Sequence, residues 1–199
     1  MNSLKRTDYL LTFNKKKNIF FKAFKGLTDR IEFFESPYRG FRSRAEFGFS
    51  LNGNVPNYTM VKQGKRHALD DLPICHKKIN SLMRLLKNEI FRNTKISIEL
   101  FQVGFQISRS QEAFISLIYH KELTPKWIDA AKEISSNLNT SIIGRSRKQK
   151  VVIGNDFVTE NYKGNNTSYG IKLFEQCFSQ PNPYVCDHMI DWTSKNIIF

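Results

Sequence analysis

Hydrophobic and polar positions alternate most cleanly between Phe41 and Phe49. Phe41, Ser43, Ala45, Phe47 and Phe49 fall on one face of an extended chain, and Arg42, Arg44 and Glu46 on the other. An aromatic side opposite a charged side predicts a strand of a half-buried sheet that turns its charge outward. Ser36-Pro37-Tyr38-Arg39-Gly40 leads in as a turn, since proline fixes φ and glycine accepts positive φ. Upstream, Tyr9, Phe13, Phe20, Phe24 and Leu27 recur at near-helical spacing among Lys15, Lys16, Lys17, Lys22 and Lys25. This predicts an amphipathic helix with a basic side, docked on the domain's own sheet or lying on a membrane surface. A short strand is expected over Arg30–Glu35.

Leu51-Asn52-Gly53-Asn54 reads as a hairpin turn, with the return strand at Tyr58-Thr59-Met60-Val61. Asp70-Asp71-Leu72-Pro73 is expected to open a helix that turns Ile79, Leu82, Met83, Leu86 and Ile90 inward. Ile96, Ile98 and Leu100 then share one phase, and Phe101, Val103, Phe105 and Ile107 the other. The slip at Leu100-Phe101 predicts a bulge that re-aims Phe101 and Gln102. Ala113–His120 is a further strand, nearly continuous in apolar character. Thr124-Pro125 pairs an N-cap with proline at the first helical position, ahead of inward Trp127, Ala131, Ile134 and Leu138. Strands at Ser141–Gly144 and Val151–Ile153 flank a basic hairpin from Arg145 to Lys150, and Pro183 opens a last helix with Val185, Met189 and Trp192. Hairpin strands with helices on one side predict an α+β fold, a mostly antiparallel sheet with helices packed on it. A new apolar strand is expected to begin at the Phe199 end.

Charge changes the picture from fold to partner. Lysine and arginine number 31 against 18 acids, an excess of +13 in 199 residues. Such a chain attracts polyanions, nucleic acid first and an anionic membrane surface second. No apolar run approaches a membrane span, and the polar N-terminus lacks the apolar core of a signal peptide. Cys75, Cys177 and Cys186 are odd in number and have no C-x-x-C spacing, which argues for a reducing, cytoplasmic setting. Cys177, Cys186 and His188 are the nearest approach to metal spacing, and no metal site is assigned there. Phosphate loops, nucleophile elbows and zinc-protease motifs are missing from the sequence. Exposed aromatics that stack on unpaired bases, interleaved with cations that pair with phosphates, are what RNA loops require. Phe101 at the slip and His120 at a strand end beside Tyr119 and Lys121 fit that pattern. A lone histidine is also commonly structural, and Arg42 and Arg44 also suit an ordinary solvated sheet face.

Several motifs together resemble the bacterial tRNA (uracil-5-)-methyltransferase family. They are Ser36-Pro37 with Phe41-Arg42-Ser43-Arg44-Ala45-Glu46-Phe47, then Leu100-Phe101-Gln102 and Ser116-Leu117-Ile118-Tyr119-His120-Lys121-Glu122-Leu123. Ile143-Gly144-Arg145 and Phe178-Ser179-Gln180-Pro181-Asn182 complete the set, in the family's order and over nearly the whole chain. The resemblance implies transfer of a methyl group from S-adenosyl-L-methionine to C5 of the T-loop uridine of tRNA. It implies an RNA-binding set of Arg42, Arg44, Phe101, Gln102, Tyr119, His120, Lys121 and Arg145, with Gln180 at the cofactor and Phe178 at the target-base pocket. Residues 1–175 are expected to form an RNA-recognition domain, and 176–199 the F-x-Q-P-N motif and a helix leading into a methyltransferase domain. The resemblance places that Rossmann-like domain beyond Phe199, with its cofactor loop, nucleophilic cysteine and general-base glutamate. The expectation is therefore a truncated or split coding sequence that carries no catalytic residue, binds S-adenosyl-L-methionine poorly by itself and is inactive alone. Its expected partners are the tRNA T-arm, no membrane, and a separate C-terminal methyltransferase half. The competing reading is a stand-alone, non-catalytic RNA-binding module.

Overall fold

A computed structural model of the protein describes residues 4–28 and 31–197. Seven strands form one sheet: β1 (Arg44–Asn52), β2 (Val55–Lys62), β3 (Lys65–Leu69), β4 (Leu100–Ile107), β5 (Ala113–Tyr119), β6 (Ser141–Ser146) and β7 (Gln149–Ile153). Their spatial order is β3-β2-β1-β4-β5-β6-β7. The alternation of β1 is realised, with Ala45, Phe47 and Phe49 buried and Glu46 exposed. Against the inner face lie α2 (Lys77–Arg92) and α3 (Pro125–Leu138), which supply Ile79, Leu82, Met83, Leu86, Ile90, Trp127, Ala131 and Ile134 to the main core. Thr124 caps α3 by accepting from the Trp127 amide, with Pro125 at the first helical position.

The expectation of an α+β fold with a mostly antiparallel sheet is corrected here. The sheet is mixed, because β5 and β6 pair in parallel, Phe114 beside Ser141 through Ile118 beside Arg145. The reason is α3. Its apolar stripe has to lie on the inner face, and crossing that face returns the chain to the end where β5 began. The nearly continuous apolar run of β5 suits a strand buried on both faces.

Other expectations shift at the edges. The helix expected from Asp70 begins at Lys77, behind the His76 N-cap. Residues 70–75 are held in a turn, where the Asn80 side chain accepts from the Leu72 amide and donates to the Leu72 carbonyl. The Arg30–Glu35 strand does not form over the described residues 31–35; Arg30 and the apolar end at Phe199 lie outside the described residues. The first helix, α1 (Arg6–Ala23), buries no side chain and does not dock on the sheet as one reading expected. The inner face is already filled by α2 and α3, so the Tyr9 hydroxyl accepts from the Ser36 amide at 2.7 Å and Phe20 and Phe21 meet Phe33.

A second layer covers half of the outer face. It consists of the hairpin β8 (Phe157–Gly164) with β9 (Thr167–Phe174), and α4 (Pro183–Asn196) packed on β8. Phe114 and Ile143 of the sheet join Val158, Tyr162 and Leu173 in a smaller core. Arg109, in the β4–β5 turn, fastens this layer down. It donates from Nε to Glu160 at 2.7 Å and pairs with Asp187 of α4.

Candidate nucleic-acid interface

The uncovered half of the outer face carries most of the residues singled out by the sequence. The bulge falls between Leu100 and Gln102, so that Phe101 is the extra residue of β4. Glu99 just before it adopts a left-handed φ of 57°, a conformation that costs energy for a side chain this long and recurs at functional sites. The outcome is a re-aimed Phe101 ring stacked on His120, with centroids 4.0 Å apart and planes 11° apart. Phe101 is half-buried and His120 exposed, which leaves a flat, two-ring platform at the end of β4 and β5.

Next to the platform runs a polar row. Glu46 accepts from Arg44 Nη2 at 2.9 Å and from Gln102 Nε2 at 3.1 Å, tying β1 to β4 across the surface. Arg44 also donates to the Cys177 carbonyl at 2.6 Å. An open cavity of about 440 Å³ lies over this row, lined by Arg44, Glu46, Gln102, Gln106, Ser116 and Glu175 among others. Arg145 faces the same side but is paired at 2.8 Å with the buried Glu175. Arg42 is half-buried, and its Nε donates to the Arg44 carbonyl. Lys121 is half-buried, and its amine has no ion pair among the described residues.

Tyr119 is placed elsewhere. It is 2% exposed, packs edge-on against Trp127, and its hydroxyl donates to the Ile96 carbonyl at 2.7 Å. Strand alternation explains this correction, because neighbours on a strand face opposite ways and His120 takes the outer side. Phe178 is 81% exposed and Gln180 half-buried, on the loop before α4. That loop is fixed at two points. The Pro181 carbonyl accepts from the Ser43 amide at 2.8 Å, and Asn182 caps α4 while donating to Ser36 Oγ. The Gln180 side chain makes no hydrogen bond among the described residues.

Sequence reasoning missed two contributors. Arg66, exposed on β3, lines a second recess of about 520 Å³ together with Phe101, His120 and Met60. A polar edge strand such as Lys65-Arg66-His67 has no hydrophobic period, and the only signal was its basic run after Gly64. Glu175 was missed because the residue that gives it meaning, Arg145, is distant in sequence.

The cysteines offer no assembled nucleophile. Cys75 is buried, and burial pushes its thiol up to about 11. Burial also raises Cys186, with Asp187 adding to the effect. Cys177 is exposed. Among the described residues no cluster of His, Cys, Asp and Glu could hold a metal ion, and no helix is long and apolar enough to cross a membrane.

A family model described as tRNA (Uracil-5-)-methyltransferase matches residues 8–197. Two curated relatives, both named tRNA/tmRNA (uracil-C(5))-methyltransferase, illustrate the likeness. The one from Acinetobacter baumannii (strain AYE) is 43% identical over 168 residues, covering 81% of this chain and 46% of the relative. The one from Stutzerimonas stutzeri (strain A1501) is 37% identical over 167 residues, covering 82% and 46%. The chain thus spans about half the length of the curated relatives it matches. A solved structure, the Pyrococcus abyssi tRNA (uracil-54, C5)-methyltransferase in complex with S-adenosyl-L-homocysteine, matches with a TM-score of 0.69 at 15% identity. It covers 96% of this chain and 48% of that one. This likeness of fold overturns the other part of the fold expectation, that the methyltransferase fold is absent from the chain: the mixed sheet matches the fold of about half of that solved chain. With a match running from residue 8 to residue 197, the chain belongs to the tRNA (uracil-5-)-methyltransferase family.

Proposed function

We propose that this chain grips the T-arm of tRNA through the uncovered half of its outer sheet face, as the RNA-binding portion of a tRNA (uracil-5-)-methyltransferase. The Phe101–His120 stack carries the reading. A half-exposed ring pair with its face at a sheet end suits an unpaired loop base, and a regular duplex offers no such base to stack on. Family membership and the tRNA methyltransferase names of the relatives support it. Arg66, Lys121, Arg147 and Lys148 are free to meet phosphates, having no ion pair among the described residues. Arg44 and Arg145 contribute by exchanging Glu46 and Glu175 for a phosphate, so their contribution is smaller than their charge suggests.

S-adenosyl-L-methionine supplies the methyl group in this family. Gln180 is the residue of this chain that would hold it, since its amide is half-buried on a loop fixed at Ser43 and Ser36 and has no other partner among the described residues. Phe178, unpacked beside it, would face the target base. Such pockets need several converging polar groups, and we assign only this one to the chain. Burial raises the thiols of Cys75 and Cys186, and the Asp187 carboxylate raises Cys186 further, so neither is poised as a thiolate and the 199 residues by themselves are expected to transfer no methyl group.

The test is binding of a T-arm hairpin and of a plain RNA duplex to the chain and to Phe101→Ala. Removing a stacking aromatic should weaken hairpin binding by about 1–3 kcal/mol and leave the duplex unchanged. Equal weakening of both would assign Phe101 to the core. Label transfer from S-adenosyl-L-methionine to unmodified tRNA is expected only when a C-terminal half from a relative is added and the two reassemble. Hairpin binding with no transfer in that mixture would favour the stand-alone module.

A further inference from the structure

Nearly half of the chain's excess charge sits on α1 and the residues flanking it, which the interface above does not use. Residues 4–28 hold Lys5, Arg6, Lys15, Lys16, Lys17, Lys22 and Lys25 against the single acid Asp8, a local excess of six where the whole chain has +13. Lys15, Lys16, Lys22 and Lys25 are exposed, and none has an ion pair among the described residues. Lys17 is turned the other way, over the rings of Phe13 and Phe33. Asp8 stands in the first turn of the helix, away from Lys15, Lys16, Lys22 and Lys25, where it accepts from the Lys5 amide.

Position adds to charge. Hydrogen bonds connect the far end of β4 to α1: the Ile107 amide donates to Ser43, Ser43 to Pro181, Asn182 to Ser36, and the Ser36 amide to Tyr9. The helix is thereby held at the Ile107 end of the sheet, whereas the Phe101–His120 platform is at the other end of β4. Six residues of strand separate them, roughly 20 Å at about 3.3 Å per residue. A ligand that reaches both must be an extended polyanion.

We propose that the solvent face of α1 is a second, sequence-independent contact for the phosphate backbone of tRNA, outside the loop that the platform reads. This rests on the reading above that the platform engages the T-arm. Charge complementarity selects RNA phosphate as the occupant. An anionic membrane fits less well, because the aromatic side of α1 is turned onto residues 33–36. On the outer side Leu11 and Ile19 alternate with Lys15 and Lys22, and the partly exposed Phe20, Phe21, Phe24 and Leu27 gather at the C-terminal end among Lys22 and Lys25, so the apolar surface does not run as a strip along the helix.

The experiment compares the full chain with its Lys15→Gln/Lys16→Gln/Lys22→Gln/Lys25→Gln variant on an unmodified full-length tRNA transcript and on the isolated T-arm hairpin, over a salt series. Glutamine keeps helix propensity close to that of lysine, and circular dichroism checks that α1 persists. The variant should lose about tenfold or more in affinity for the whole tRNA at 0.1 M salt. The log–log salt slope should flatten by roughly 0.7–0.9 for each lysine engaged. Hairpin affinity should stay unchanged. Unchanged affinity and slope for whole tRNA, with the hairpin still bound, would overturn the α1 contact alone. Failure of the parent chain to bind the hairpin would instead sink the platform reading. Lysine-dependent binding to phosphatidylglycerol vesicles, with whole-tRNA binding unaffected, would overturn the proposal in favour of a membrane surface.

Discussion

Arg109 provides the most demanding test of how the second layer is held to the sheet. Glu160 is 1% exposed and accepts from the Arg109 amide at 3.0 Å, from Arg109 Nε at 2.7 Å and from the Asn161 amide at 3.0 Å. Asp187 accepts from the Arg109 guanidinium and, at 2.9 Å, from the Lys163 amide. Burial by itself would lower the pKa of Arg109; hydrogen bonds to Asp187 and Glu160 carry it above its ordinary value instead. Replacing Arg109 by Met removes the cation and leaves the Glu160 carboxylate buried with only backbone donors. Breaking a buried pair in this way costs about 3–5 kcal/mol. The Arg109 side chain is 23% exposed and Asp187 19%, so water can replace part of the loss. We therefore expect about 3 kcal/mol, the lower end of that range. Urea unfolding should register it as a midpoint lowered by about 1.5 M, taking a slope of about 2 kcal/mol/M. Glu160→Gln removes the anion and keeps an oxygen for the amides. In the double variant the two losses should overlap by at least about 1 kcal/mol, as expected for coupled neighbours. Additivity within about 0.5 kcal/mol would refute the claim that these groups form one unit.

Gly144→Ala should destabilise by about 1–3 kcal/mol and perturb tryptophan fluorescence, because a Cβ there would run into the buried Trp127 ring. His76 caps α2 by accepting the Lys78 amide at Nδ1, and burial first, then Lys77 and Lys78, lower its pKa. A histidine whose folded pKa is depressed favours the folded state above its unfolded pKa and loses that contribution as pH falls. Amide exchange at the start of α2 should accordingly rise below about pH 6.5 and stay flat in His76→Asn; His76→Ala should cost about 1 kcal/mol at neutral pH. Intact-mass analysis after brief iodoacetamide treatment should find Cys177 alkylated first and Cys75 untouched until urea unfolds the chain; early labelling of Cys75 would contradict its burial.

What the sequence disclosed and what it withheld divide along physical lines. The β1 alternation, the α2 stripe, the Thr124-Pro125 and Pro183 starts and the bulge at Phe101 are local patterns, and each was legible because one face is buried or one helix start is marked. β3 was not legible, since Lys65, Arg66, His67 and Ala68 are all exposed on an edge strand. The hairpin β8–β9 was hidden likewise, with the β9 residues Thr167–Lys172 exposed throughout. The parallel pairing of β5 with β6 is decided by where α3 packs, which no period along the chain encodes. At the candidate interface, Phe101 and His120 were singled out by local signals, yet their stacking was not legible. The neutralisation of Arg44 by Glu46 and of Arg145 by Glu175 emerged only in three dimensions.

The bulge at Phe101 has an implication for how such a surface can change over generations. Strand residues obey a parity rule, so the single unpaired residue between Leu100 and Gln102 lets Leu100 and Val103 both stay in the core while Phe101 leaves it. Point substitutions can trade one exposed ring for another without disturbing that arithmetic. Deleting one residue there would restore plain alternation and draw the ring out of the platform, while Val103, Phe105 and Ile107 kept their places. Lineages carrying this sheet are thus free to vary the chemistry of the platform gradually, but can gain or lose the outward-turned position at 101 only through an insertion or a deletion.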